Sequence, residues 1–251
     1  MEFKQQIKQI KSEEEFINNF NNSNSDFVLY KENNVLYLKS LKHGEWLPFN
    51  IDFSSNKLLT RKNQTGLKSE LAKAIGIKKD FKPHVLDTTA GLGRDSFLIA
   101  SLGCNIKMIE RNPIIFILLN NAIENAKLNS EISDIFQKMT LINENSIDFL
   151  KNNKDFFDVI YIDPMFPKSN KTRLVKKEMQ LFREIAGDDL DSSELLNEAL
   201  NSKVKRIVVK RMLNSPYINN LKPNFEIKGT TVRFDIYLNP FVIKIQNKNK
   251  N

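Results

Sequence analysis

The sequence predicts an α/β fold: a doubly wound, mostly parallel sheet of seven strands, preceded by a small β-rich subdomain. Three observations predict it. From His84 onward short apolar runs alternate with stretches of helical periodicity, which is the pattern of a parallel sheet covered on both faces. A glycine-rich bend, Ala90-Gly-Leu-Gly93, follows the first of those runs. The last two runs, Phe225 to Lys228 and Val232 to Leu238, stand close enough to pair antiparallel.

The elements follow in order. Residues 1–25 read as a polar helix ending in an Asn/Ser run, and then come short strands at Phe27 to Lys31, Val35 to Lys39 and Trp46 to Phe53. Asn33-Asn34 suits the hairpin turn between the first two. From about Arg61 the period becomes helical, through Leu67, Leu71, Ala74 and Ile75, ending near Gly76. The seven strands of the main sheet are His84 to Asp87, Ile106 to Glu110, Met139 to Asn143, Val159 to Asp163, Arg206 to Lys210, and the closing pair. Helices are expected at Arg94 to Leu102, Pro113 to Leu128, Ser146 to Leu150, Leu174 to Ile185 and Ser192 to Leu200, with Pro113 suited to a first turn. The expected division is a subdomain of residues 1–60 and a main domain of residues 61–251.

Composition narrows the function classes. The chain has 251 residues, 41% hydrophobic and 27% charged, so disordered and disulfide-scaffold classes drop out. Its one cysteine, Cys104, and two histidines leave too few nitrogen and sulfur ligands for a metal site. No apolar run approaches the roughly 20 residues a membrane span needs, and the start lacks a signal-peptide core, so a cytoplasmic protein is expected. The net charge of +8 favours a polyanionic partner. Two clusters concentrate it: Lys168, Lys171, Arg173, Lys176 and Lys177, and Lys203, Lys205, Arg206, Lys210 and Arg211.

Two motifs carry chemistry. In the first, a strand ending in Asp87 runs through Gly91 and Gly93 into a helix opening with Arg94 and Asp95. Such glycines allow close backbone approach to a ligand, and Glu110, ending the next strand, is placed to accept hydrogen bonds from ribose hydroxyls. A dinucleotide fingerprint would want a third glycine where Ser96 stands, and Asp87 suits the cationic amino-acid end of S-adenosylmethionine. Helix capping is the alternative for Asp87 and Asp95. The second motif is the apolar strand ending in Asp163-Pro-Met-Phe166. It is similar to the Asp-Pro-Pro-aromatic element of enzymes that methylate the amino groups of nucleobases. There a carboxylate, here Asp163, and a carbonyl, here that of Pro164, hold an exocyclic amine while a ring, here Phe166, stacks on the base. A plain Asp-Pro turn with Phe166 in the core is the alternative.

Taken together, Asp87-Thr-Thr-Ala-Gly-Leu-Gly-Arg-Asp95, Ser101-Leu-Gly-Cys104, Glu110-Arg-Asn-Pro113, Asp163-Pro-Met-Phe-Pro167, Leu174-Val-Lys-Lys-Glu-Met179 and Val208-Val-Lys-Arg211 resemble the ribosomal RNA small subunit methyltransferase J (RsmJ) family. The resemblance covers roughly residues 61–238. It implies a class I, Rossmann-like methyltransferase that uses S-adenosylmethionine to methylate N2 of one guanosine, position 1516 in customary 16S rRNA numbering. Its partner is then 16S rRNA or the small ribosomal subunit, with no metal and no membrane. Carried over by motif, the cofactor contacts are Arg94, Asp95, Glu110, Arg111, Asn145, Ser146 and Asp163, beside Asp87, Gly91 and Gly93. The first basic cluster would grip RNA. The family's glycine-rich run before the first helix is here Asn63-Gln-Thr-Gly66. A related enzyme methylating a protein amide or small amine, and an RNA-binding module without catalysis, are the rival readings.

Overall fold

The computed structural model describes residues 12–23, 25–42, 48–165, 177–187 and 190–239. An N-terminal helix, α1 (Glu13–Asn21), is capped by Ser12, which accepts from the Glu15 N–H at 3.1 Å. It leads into an antiparallel hairpin of β1 (Phe27–Glu32) and β2 (Val35–Ser40). Asn33 and Asn34 both take positive φ, 49° and 65°, the conformation that a two-residue turn with native strand twist requires. The expected third strand is not formed over 48–53: only Phe49 bridges Leu38, and Trp46 lies outside the described residues. Asp52 accepts from the Ser54 N–H at 2.8 Å, and this turn bends the chain inward so that Phe53 packs on Phe97 and Phe136.

Two helices follow where one was expected: α2 (Asn56–Gln64) and α3 (Glu70–Ile75). Ser69 caps α3 by accepting from the Ala72 N–H, so the helix starts three residues after Leu67, which stays exposed in the turn. The α2 helix spans the expected boundary at residue 60.

The main sheet has seven strands: β3 (Val85–Asp87), β4 (Ile106–Ile109), β5 (Met139–Ile142), β6 (Val159–Ile162), β7 (Arg206–Met212), β8 (Phe225–Lys228) and β9 (Val232–Leu238), in the order β5-β4-β3-β6-β7-β9-β8. The pairs from β5 across to β7 are parallel, and β9 pairs antiparallel with both β7 and β8. Between them run α4 (Arg94–Ser101), α5 (Pro113–Lys127), α6 (Ser133–Phe136), α7 (Ser146–Asn152), α8 (Lys177–Ala186) and α9 (Ser192–Asn201). One face of the sheet packs on α2, α3, α4, α6 and part of α5, the other on α7 and α9. Burial on both faces explains why Val159 to Ile162 is apolar without alternation.

A third core joins the hairpin to the rest. Phe16, Phe20, Leu29, Leu36 and Leu38 pack with Ile115 and Leu118 of α5 and with Leu181 and Phe182 of α8. Buried Asn121 of α5 seals the contact: its Oδ1 accepts from the Leu36 N–H at 2.9 Å and its Nδ2 donates to the Asn34 carbonyl at 3.1 Å. Asn121→Ala leaves the Leu36 N–H buried without that acceptor, and should lower unfolding stability by about 1–3 kcal/mol in urea denaturation.

Candidate active site

The order of the strands reverses between β3 and β6, and in such sheets a crevice opens beyond the carboxyl ends of the two neighbours. Both sequence motifs end there. The Thr88 N–H donates to the Tyr161 carbonyl at 3.0 Å, and the Asp163 N–H donates to Thr89 Oγ1 at 2.7 Å. The glycine bend and the Asp163-Pro164 bend are therefore joined by direct hydrogen bonds.

The glycine bend is held from three sides. Gly91 (φ +52°) donates its N–H to Glu110 Oε2 at 2.9 Å, and the other carboxylate oxygen of Glu110 accepts from the Asn112 N–H at 2.7 Å. Gly93 (φ +67°) has no room for a side chain: a Cβ there would stand 2.8 Å from Leu119 Cδ1. Phe182 of α8 covers Gly91, its ring 3.5 Å from where a Cβ would be.

Beneath the bend lies Asp87, 2% exposed, accepting from the Thr89 N–H at 3.0 Å and from the Ser96 hydroxyl. Burial raises its pKa from 3.8 to about 6, although those two hydrogen bonds pull the other way.

Asp95 forms the centre of a second cluster. It accepts from Arg61 Nη2 at 3.0 Å, from the Tyr161 hydroxyl at 2.7 Å and from Lys210 Nζ at 2.7 Å. Burial alone would raise the Asp95 pKa, but the charges of Lys210 and Arg61 outweigh it and hold the carboxyl below its usual range. The Lys210 ammonium also donates to Asp163 Oδ2 at 2.7 Å, so it bridges the two carboxylates. Burial would lower its pKa, yet Asp95 and Asp163 more than compensate and raise it. Of the three, the Asp163 side chain is the most open to solvent.

Several of the other expected residues lie along the same edge of the sheet. Ser146 Oγ donates to the Thr88 carbonyl at 2.6 Å, tying the end of β5 to the first loop. Asn145 caps α7, its Oδ1 accepting from the Ile147 N–H at 2.8 Å. Arg111 pairs with Asp191 at 2.5 Å, and Arg94 is exposed on the first turn of α4. Pro164 is buried. Phe166, Lys168, Lys171, Arg173 and Lys176 lie outside the described residues, as does the Lys177 side chain.

The second basic cluster divides: Lys203 is exposed and Lys205 half-buried ahead of β7, while the three cations on β7 are engaged within the protein. Arg206 donates to the Ala74 carbonyl at 2.8 Å, buried Arg211 to the Pro216 carbonyl at 2.6 Å, and Lys210 belongs to the site. Sequence reasoning thus missed Lys210 and Tyr161 as site residues. The signal was present, in a lysine and a tyrosine interrupting apolar strands near their carboxyl ends.

A family model described as "Putative SAM-dependent methyltransferase" matches residues 12–239. A ribosomal RNA small subunit methyltransferase J from Colwellia psychrerythraea is 40% identical over 220 residues, covering 87% of this chain and 80% of the relative. One from Ectopseudomonas mendocina is 41% identical over 215 residues, covering 85% and 83%. The chain belongs to the ribosomal RNA small subunit methyltransferase J family. A solved SAM-dependent methyltransferase from Neisseria gonorrhoeae shares the fold of this methyltransferase, with a TM-score of 0.70, 30% identity and coverage of 86% and 84%.

The residues present fit S-adenosylmethionine. The methyltransferase carries a tight glycine bend beyond β3, and the Glu110 carboxylate stands at the tip of the neighbouring β4, where a ribose is received at a switch point. Among the described residues no cluster of metal ligands occurs, and no helix is long and apolar enough to cross a membrane.

Asp87 carries a pH signature. Because its folded pKa is raised, its contribution to stability is present below about pH 4 and is lost as pH rises through about 6. In urea denaturation the stability of wild type relative to Asp87→Asn should fall by up to roughly 3 kcal/mol between those limits. A pH-independent difference would remove the assigned burial penalty.

Proposed function

We propose that this methyltransferase transfers a methyl group to N2 of a guanosine in 16S rRNA, acting in the cytoplasm on the free RNA or the small ribosomal subunit. The observation that carries the reading is the Asp163 carboxylate at the switch point, with one oxygen on Lys210 and its main-chain N–H on Thr89, beside the glycine bend. The relatives, named as ribosomal RNA small subunit methyltransferases, support the substrate class.

S-adenosylmethionine, when bound, supplies a methyl group already activated on sulfur. The chain's own residues then bind and orient. The bend through Gly91 and Gly93 presents its backbone to the cofactor, with Asp87, Arg94, Asp95, Arg111, Asn145 and Ser146 around its site, and Glu110 accepts from ribose hydroxyls. The Asp163 carboxylate and the Pro164 carbonyl accept from the two N–H groups of the guanine amine, aiming the nitrogen lone pair at the methyl carbon. Lys210 occupies Oδ2 of Asp163 and so fixes which oxygen faces the amine. The proton that the amine loses on methylation would pass to Asp163 or water. Positioning of this kind supplies up to roughly 7–11 kcal/mol of a barrier. Phe166 is the stacking ring, and Lys168, Lys171, Arg173, Lys176 and Lys177 hold backbone phosphates.

Asp163→Ala should bind S-adenosylmethionine normally by calorimetry and lose roughly a hundredfold or more in labelled methyl transfer to 16S rRNA. Unchanged turnover would overturn its role, and transfer to protein fractions in preference to RNA would overturn the substrate class. Lys210→Met should lower kcat by at least about tenfold with little change in KM, since it removes orientation rather than a substrate contact. A change confined to KM would count against that role.

A further inference from the structure

We infer that α2 and the turn after it, residues 56–69, form a second RNA-backbone grip beside the active site. The inference rests on the proposed rRNA substrate and adds a surface on which that substrate lies.

Between Asp52 and Glu70 stand Lys57, Arg61, Lys62 and Lys68, and no acidic residue. Lys57 lies in the first turn of α2, where the helix dipole disfavours a cation and no acid offsets it, whereas Arg61 and Lys62 in the last turn suit the dipole and Arg61 is held by Asp95. Among the described residues no ion pair involves Lys57, Lys62 or Lys68. Lys57 and Lys68 are exposed and Lys62 is half-buried. A face that is merely solvated gains nothing from such one-sided charge, whereas a polyanion makes it favourable.

Location separates this patch from lysines elsewhere. Arg61 reaches Asp95, Asp95 reaches Lys210 and Lys210 reaches Asp163, in three contacts of 3.0, 2.7 and 2.7 Å. The α2 helix is thus bonded to the cluster that ends at the proposed amine-holding carboxylate. The following turn is anchored at the same end of the sheet, since Glu70 lies 3.8 Å from where a Cβ on Gly229 would stand, in the turn after β8. That turn is at the carboxyl end, because β8 and β7 both run opposite to β9. An RNA strand whose target base enters at Asp163 therefore has α2 on the same edge of the sheet, three side-chain contacts from that carboxylate. In the second basic cluster Arg206, Lys210 and Arg211 are bonded within the protein, and Lys203 and Lys205 precede β7 at the opposite end of the sheet.

The test compares the triple variant Lys57→Glu, Lys62→Glu, Lys68→Glu with a control of equal charge change, Lys79→Glu, Lys154→Glu, Lys203→Glu, whose lysines precede β3, β6 and β7 at the opposite end. Binding to protein-free 16S rRNA and to small subunits is measured across a salt series, with circular dichroism melting and S-adenosylmethionine calorimetry on each protein. The expected result is normal folding and cofactor affinity in both, with RNA affinity at least about tenfold weaker in the triple variant than in the control. Its salt slope should be shallower by about 2 to 3, at roughly 0.7–0.9 per lost phosphate contact. Equal affinity and slope in the two proteins on both substrates overturns the grip. Absence of methyl transfer to rRNA by the wild type would instead overturn the proposed function, a separate reading of the same samples.

Discussion

The site depends on the junction of β3 and β6. Strand β3 is only three residues long, so little of its own ladder holds the bend that follows. The Thr88 N–H on the Tyr161 carbonyl, and the Asp163 N–H on Thr89 Oγ1, continue the pairing past the strand ends and lock two turns of unrelated sequence together. Where strand order reverses, neighbouring connections leave in opposite directions, and the crevice between them stays open. In the proposed reaction, the donor site and the acceptor holder would share this one backbone seam.

Charge balance follows from that geometry. Asp87, Asp95 and Asp163 crowd the same edge, and three carboxylates so close would repel. Lys210 and Arg61 neutralise Asp95 and Asp163 through direct bonds, while Asp87 responds to burial by holding its proton more tightly. A buried carboxylate bridged by a lysine tolerates removal of both partners better than removal of one, because a lone charge is left without compensation. The ion cluster thus constrains orientation more than it adds stability.

The N-terminal hairpin belongs to the same mechanical unit. Its core includes Leu181 and Phe182 of α8, and Phe182 covers Gly91. Because α8 comes next in the described chain after the Asp163 turn, one helix touches the hairpin and the glycine bend at once. Packing at close density transmits displacement, so the hairpin's attachment through Asn121 reaches the cofactor side of the site.

Much of this was legible in the sequence because local chemistry dictates it. Seven strands, the Asn33-Asn34 turn, the Pro113 start and the glycine bend each depend on neighbours a few residues away, and period and turn chemistry reveal them. The convergence of Asp87, Glu110 and Asp163 was legible for a related reason: a parallel alternation puts every strand's carboxyl end on one edge. Only the tertiary structure decided what lysines and asparagines do. Lys210 and Lys68 look alike in a basic sequence, yet one is half-buried between two carboxylates 115 and 47 residues away in the chain and the other is exposed. Asn121 reads as a polar position on a helix and becomes the seal for a hairpin 85 residues earlier. Such roles are set by which distant partner arrives: type and spacing mark a position as unusual, as with a lysine in an apolar strand, and do not name that partner.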